Sequence, residues 1–429
     1  MNMLRWRILS GPILAAVLCA APEALYAQKS AEQKPNDAAS ATAKRTLAID
    51  DLYLFDGPQA VTLSPQADFA VYVRQWIDAE TKAERNSLWR IGAKGDKRPL
   101  EPGEPDARSP VFSPDGRWIA VRSTRARREG EPPIPPTPPQ SDPATDLWLL
   151  PAEGGKAIPL CGAEKPYGRV FNDLFYGRVA FSPDGRKLVF VADDGRDPRT
   201  AEERAAGVEV VRPDQGEGYT GYGTAQIWVA HLTSQPERQA AERIERVTDD
   251  DVWYGDPQWS PDGRWLVVHA NRTTDRESVR YSINKNYDLW AIDATNHSLE
   301  QLTAGPGPEV SPRFSPDGRR LACLSSPRKG PHADVFNLAL VDFEAAAGEG
   351  GSPQAGKIVF DFHHRPEQPA DDPAPTFPLP DECFVGAEEL IYTGFSGLQS
   401  ATMRVDLQTG KRTAVVGPKS LDAASGSEY

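Results

Sequence analysis

FSPDGRWIAV, Phe112–Val121, recurs as FSPDGRKLVF (Phe181–Phe190), WSPDGRWLVV (Trp259–Val268) and FSPDGRRLAC (Phe314–Cys323). Internal repetition on this scale decides a fold before any local reading does. In each copy an aromatic residue leads into Ser-Pro-Asp-Gly, a basic residue and a short apolar strand. Proline presets φ at the first corner, aspartate accepts backbone N–H groups beyond it, and glycine takes the left-handed position. The motif is therefore a tight turn between two antiparallel strands.

The strand after the turn does not alternate between apolar and polar residues. Trp118-Ile119-Ala120-Val121, Leu188-Val189-Phe190-Val191 and Leu266-Val267-Val268 are apolar at consecutive positions. A sheet with one face in water would alternate. These strands need cover on both faces, and no helix-forming segments lie between the repeats to supply it, so neighbouring sheets must. A third strand carries its own signature: Ser87-Leu88-Trp89, Asp146-Leu147-Trp148, Gln226-Ile227-Trp228 and Asp288-Leu289-Trp290. A fourth strand ends near Pro99-Leu100, Pro159-Leu160, Val247-Thr248 or Leu302-Thr303. Four strands per repeat, stacked radially without helices, define an all-β fold, the β-propeller.

Two degenerate copies extend the series. Leu63-Ser64-Pro65-Gln66 with Phe69-Ala70-Val71-Tyr72 opens an earlier blade, and Phe384–Thr393 (FVGAEELIYT) begins the last. The reading is about six four-stranded blades, at 57–102, 106–162, 170–249, 251–304, 308–362 and 376–417, with an incomplete seven-bladed ring as the alternative. The propeller spans 46–417 and a tail follows at 418–429. Insertions at 124–145, 193–224, 344–357 and 363–376 read as surface loops.

The chain begins with Arg5 and Arg7, an apolar run Ile8–Ala21 and a small-residue cleavage candidate at Leu25-Tyr26-Ala27. That layout predicts a signal peptide over 1–27 and an exported protein, periplasmic in a bacterium and otherwise secreted. The run is shorter than the ~20 residues of a membrane span. Residues 28–45 lack large apolar side chains and read as a disordered leader. A formal net charge of −13 argues against nucleic acid or an anionic membrane as partner.

Beyond the leader, the cysteines Cys161, Cys323 and Cys383 are widely spaced and write no metal or disulfide pattern. Cys323 stands in for an apolar strand residue. Adjacent His363 and His364 would point to opposite faces of a strand, which poorly suits one metal. Asp249-Asp250-Asp251 lacks the spaced oxygen ligands of a calcium loop. No cofactor or metal site is expected.

One pattern exceeds turn chemistry. Asp173-Leu174-Phe175-Tyr176-Gly177 and Asp251-Val252-Trp253-Tyr254-Gly255 stand at the same distance before their SPDG turns. Both fall where one blade crosses to the next. Asp173, Phe175, Tyr176, Asp251, Trp253 and Tyr254 are the candidate binding residues at a channel mouth, for a peptide or protein ligand. The alternative is a pair of wedges packing adjacent blades.

Leu47–Leu54 (LAIDDLYL), the degenerate first blade, the SPDG hairpins and the Asp-Leu-Trp strands together resemble the N-terminal propeller of the prolyl-oligopeptidase family, in its acylaminoacyl-peptidase and dipeptidyl-peptidase-like branches. The SPDG repeat is shared with the TolB propeller, which makes a TolB-like periplasmic binding scaffold the second reading. The family resemblance implies a propeller that gates a C-terminal α/β-hydrolase domain carrying a serine, an aspartate and a histidine. Gly394-Phe395-Ser396-Gly397-Leu398 departs from a G-x-S-x-G elbow at its last position and reads as a hairpin turn. No catalytic residue is therefore expected in this sequence, and a separately encoded hydrolase domain is the implied partner. Glu202-Glu203 are a poor match to the paired glutamates of dipeptidyl peptidases.

Overall fold

The computed structural model describes residues 56–126, 145–162, 165–195, 199–208, 224–234, 239–272, 286–304, 307–326, 336–343, 357–360, 374–396 and 399–417. The expected signal peptide, leader and tail lie outside these, as do His332, His363, His364 and most of the insertions at 124–145, 344–357 and 363–376.

Among the described residues, six antiparallel sheets follow one another, each laid down in sequence order. The strands are Asp56–Leu63, Phe69–Ile77, Glu84–Gly92 and Lys97–Pro99 in blade one. Blade two has Arg108–Phe112, Trp118–Ser123, Asp146–Pro151 and Ile158–Pro159. Blade three has Val179–Phe181, Lys187–Ala192, Gln226–Leu232 and Ala241–Arg246. Blade four has Tyr254–Trp259, Trp265–Ala270, Asp288–Asp293 and Leu299–Gln301. Blade five has Glu309–Phe314, Arg320–Ser325, Asn337–Asp342 and Lys357–Phe360. Blade six has Ala374–Pro375, Glu389–Ser396, Gln399–Asp406 and Arg412–Val416, and Phe384–Val385 also pairs with its second strand. The sheets are the blades of a β-propeller, as the repeats predict. Gly394-Phe395-Ser396 run along a strand into a hairpin that pairs Ser396 with Gln399.

The chain divides into two compact units, Met1–Pro58 with Arg74–Arg85, and Gln59–Val73 with Asn86–Tyr429. Within the first, Arg74 donates to Asp56 at 2.8 Å and lies over Trp76.

The both-faces-covered inference holds residue by residue. In the second strand of blade three, Leu188, Phe190 and Ala192 pack with blade two, while Val189 and Val191 pack with blade four. In blade five, Leu321 and Cys323 face blade four, and Ala322 and Leu324 join the core that includes blade six. Cys323 is a fully buried hydrophobe there. Burying a valine, leucine or phenylalanine side chain contributes about 1.5–3 kcal/mol, and alternation between two partners delivers it on both faces.

The SPDG turns repeat in atomic detail. Ser113, Ser182 and Ser315 donate to Asp115, Asp184 and Asp317 at 2.6 Å, and Ser260 donates likewise to Asp262. Each aspartate accepts the amide two residues on, at 3.0–3.1 Å. Partial burial opposes ionisation of Asp115 and Asp184, yet these hydrogen bonds hold both carboxyls below their ordinary range. The glycines carry φ of +70° to +72°. Their role exceeds the turn: a Cβ on Gly185 would lie 3.7 Å from Pro114, on Gly263 3.7 Å from Pro183, and on Gly318 3.4 Å from Pro261. Three of the four turns thus seat their glycine on the proline of the preceding blade's turn, while Gly116 meets Gln66 of the degenerate first copy. Repetition of the motif is an inter-blade contact as well as a local bend.

A candidate site on the innermost strands

The two Asp-x-x-Tyr-Gly segments come together. Asp173 accepts the Phe175 and Tyr176 amides at 2.9 and 2.8 Å, which folds the first segment into a turn. Tyr176 lies 5.2 Å from Trp253, and the Asp256 amide donates to the Tyr176 carbonyl at 3.2 Å. Phe175 is the hub of the rings, at 4.4 Å from His269, 4.9 Å from Tyr287 and 5.3 Å from Phe377. Gly177 is needed within its own turn and Gly255 for the approach of the other segment. A Cβ on Gly177 would fall 2.6 Å from the Phe171 carbonyl oxygen, and one on Gly255 2.9 Å from that of Phe175.

Tyr176 and Tyr254 are fully buried. Their hydroxyls differ in partner: Tyr176 meets Tyr287, while Tyr254 donates to Asp250 at 2.9 Å and accepts from Arg272. Burial, then the Asp250 charge, pushes the Tyr254 phenol well above its ordinary value, so it stays protonated. Asp250, not the position-matched Asp251, is the capping carboxylate of this second segment. Asp251 is exposed. Phe175 and Trp253 are half-buried, and Leu174 beside them is 75% exposed. These apolar surfaces are the solvent-reachable part of the motif.

A charge cluster below the rings was not singled out by sequence. Arg313 on the innermost strand of blade five pairs with Asp256 on that of blade four at 2.9 Å, and both are buried. Arg178, just before the innermost strand of blade three, lies 3.5 Å from Asp256. Asp381, in the segment between Ala374–Pro375 and Phe384–Val385 of blade six, meets Arg178 and lies 3.4 Å from Arg313. The Leu379 carbonyl accepts from Arg313 at 2.9 Å, and the Leu379 amide donates to Ser311 at 3.0 Å. Segment 376–383 is thereby tied to blades three and five. Arg122, also buried, donates to the Gly177 carbonyl, and burial lowers its pKa to about 10 against the pull of Asp173. Burial pushes the Cys383 thiol up to about 12, so no thiolate stands beside these arginines.

The bulge that sets this geometry had a signal in the sequence. Ala60, Ser109, Asp256 and Ser311 all stand four residues before an SPDG serine or its degenerate copy, with φ of +45° to +59°. In three of them a proline follows, and the register slips there. Arg313 was legible too, as a charge at a position held by Val111, Ala180 and Gln258 elsewhere.

Among the described residues no three histidine, cysteine or carboxylate side chains stand close enough to hold a metal ion. Glu202 and Glu203 lie in the first turn of a short helix, Ala201–Ala205, where Glu203 completes a capping box with Thr200.

No protein-family model matches the chain. It is 27% identical over 251 residues to the uncharacterized peptidase YuxL of Bacillus subtilis, covering 56% of this chain and 34% of that one. It is 25% identical over 349 residues to dipeptidyl-peptidase 5 of Porphyromonas endodontalis, covering 77% and 45%. The chain therefore spans less than half the length of these curated relatives. In structure it aligns with the Pyrococcus horikoshii acylaminoacyl peptidase at TM-score 0.52 and 13% identity, over 83% of this chain and 45% of that one. This chain is built on a β-propeller like those of the prolyl-oligopeptidase-family peptidases.

Proposed function

We propose that this propeller is the non-catalytic, peptide-gating part of an exported serine peptidase of the prolyl-oligopeptidase type, working with an α/β-hydrolase domain that supplies the triad. The observation that carries the reading is the match to relatives named as peptidases across most of the propeller but under half of their own length. Export rests on the arrangement of Arg5, Arg7, Ile8–Ala21 and Ala27.

In this reading the innermost strands bound the route a peptide takes, and the rigid stacking of blades limits what enters. Leu174, Phe175 and Trp253 offer the apolar surface, and Asp173 holds that turn in shape. Aromatic rings bury much area at little conformational cost, which suits them to hold varied side chains. The test is peptide binding to the purified chain, followed by fluorescence anisotropy of labelled acyl-peptides. The expected result is saturable binding, weakened at least about fivefold in Trp253→Ala and Phe175→Ala variants that still melt cooperatively, on the scale of one lost aromatic contact. Unchanged affinity in both would refute the placement of the site.

A further inference from the structure

The central charge cluster is built differently from a closed ion pair. Asp256 and Arg313 are 4% and 2% exposed and neutralise one another at 2.9 Å. Arg178 is left with a longer approach to Asp256 and meets Asp381 more closely. Asp381 also stands 3.4 Å from Arg313, and its side chain is 62% exposed. The Nε atoms of Arg178 and Arg313 are both buried and make no hydrogen bond. Two guanidinium groups, from blades three and five, thus converge on one carboxylate that reaches them from the solvent side.

We propose that this spot is a carboxylate-binding subsite, filled by Asp381 as an internal stand-in, which the carboxylate of a peptide replaces. The proposal rests on the peptide-binding reading above and adds the chemical class of the ligand. Guanidinium matches carboxylate in charge and in planar geometry. Both arginines are already held by burial and by other partners, Arg313 by Asp256 and the Leu379 carbonyl, so little further order is needed to receive an anion. Exchange replaces one solvent-reachable carboxylate by another, so the buried positive charge stays compensated throughout. Asp381 belongs to a connecting segment, not to a strand, and can leave without unpairing a sheet.

A tethered competitor lowers the apparent affinity by the fraction of time the site is open. The probes are acetyl-trialanine as the free acid, the same peptide as its carboxamide, and acetyl-Ala-Asp-Ala carboxamide, titrated by anisotropy onto the full chain. With Asp381→Asn, which keeps the shape and removes the charge, the free acid or the aspartyl peptide should bind about tenfold tighter than to the parent chain, and the plain carboxamide should not. Whichever of the two gains identifies a terminal or a side-chain carboxylate. Adding Arg178→Gln to Asp381→Asn should abolish the gain. An equal gain for the plain carboxamide, or no gain for any peptide while the variant melts as the parent does, overturns the subsite. Carboxamide binding that persists in that case leaves the peptide reading standing, whereas loss of all binding defeats both.

Discussion

Arg313 faces two carboxylates that differ in one respect, and the difference sets a quantitative expectation. Asp256 is buried with it, while Asp381 is mostly in solvent. Removing one partner of a buried pair leaves an uncompensated charge in a poor solvent and costs about 3–5 kcal/mol. Removing an exposed partner costs about 0–1 kcal/mol. Asparagine is the substitution to use at 256, because φ there is +47° and asparagine tolerates that region better than alanine. Its amide oxygen can still accept from Arg313, so the low end, about 3 kcal/mol, is expected for Asp256→Asn. Asp381→Asn should cost less than about 1 kcal/mol. Urea unfolding followed by tryptophan fluorescence reads both. Adding Arg313→Met to Asp256→Asn should recover part of the loss, since the stranded charge is then gone. The reasoning fails if Asp256→Asn costs no more than Asp381→Asn, or if Arg313→Met adds its own full penalty to the first.

The turns give a matched pair of opposite sign: Gly318→Ala should destabilise by about 1–2 kcal/mol, since φ there is +72°, while Ala67→Gly, at φ +56° in the degenerate first copy, should stabilise. Both are read from denaturation midpoints. Tyr254→Phe removes the hydroxyl that Asp250 and Arg272 share while leaving their own pair at 2.6 Å, and should cost about 0.5–1.5 kcal/mol in the same assay, with blade pairing retained by circular dichroism. His269 is buried, and burial depresses its pKa from 6.5 to about 4. The unfolded chain therefore takes up that proton first. Relative to His269→Phe, stability should fall as pH drops from about 6.5 to about 4 and then level off, by about 3 kcal/mol in all; a difference that stays flat across that window would refute a neutral buried histidine.

The turns and the blades were readable because their causes are local. A serine, a proline, an aspartate and a glycine in sequence fix one bend, and consecutive apolar residues announce cover on both faces. That the same glycine also rests on the previous blade's proline could not be read, because the contact joins Gly318 to Pro261 across two strands and a blade boundary. The Asp-x-x-Tyr-Gly segments share their spacing, but their glycines serve different contacts: Gly177 closes its own turn on Phe171 and Asp173, while Gly255 admits Phe175, Tyr176 and His269. Position alone does not show that Asp250, one residue before the position-matched Asp251, accepts the Val252 amide and the Tyr254 hydroxyl. The charge cluster was the larger omission. Arg178 and Asp381 are 203 residues apart, and no spacing rule links them. Only the interruption of an uncharged repeat position by Arg313 marked the place.

The chain's proposed part in peptide hydrolysis is to admit and hold substrate while another domain cleaves it. The direct measurement is turnover of chromogenic peptide and acyl-peptide substrates by the purified chain, with and without a serine-directed fluorophosphonate. Binding without release of chromophore is the predicted result. Release that the fluorophosphonate abolishes would contradict the account, for it would put the nucleophile inside this propeller.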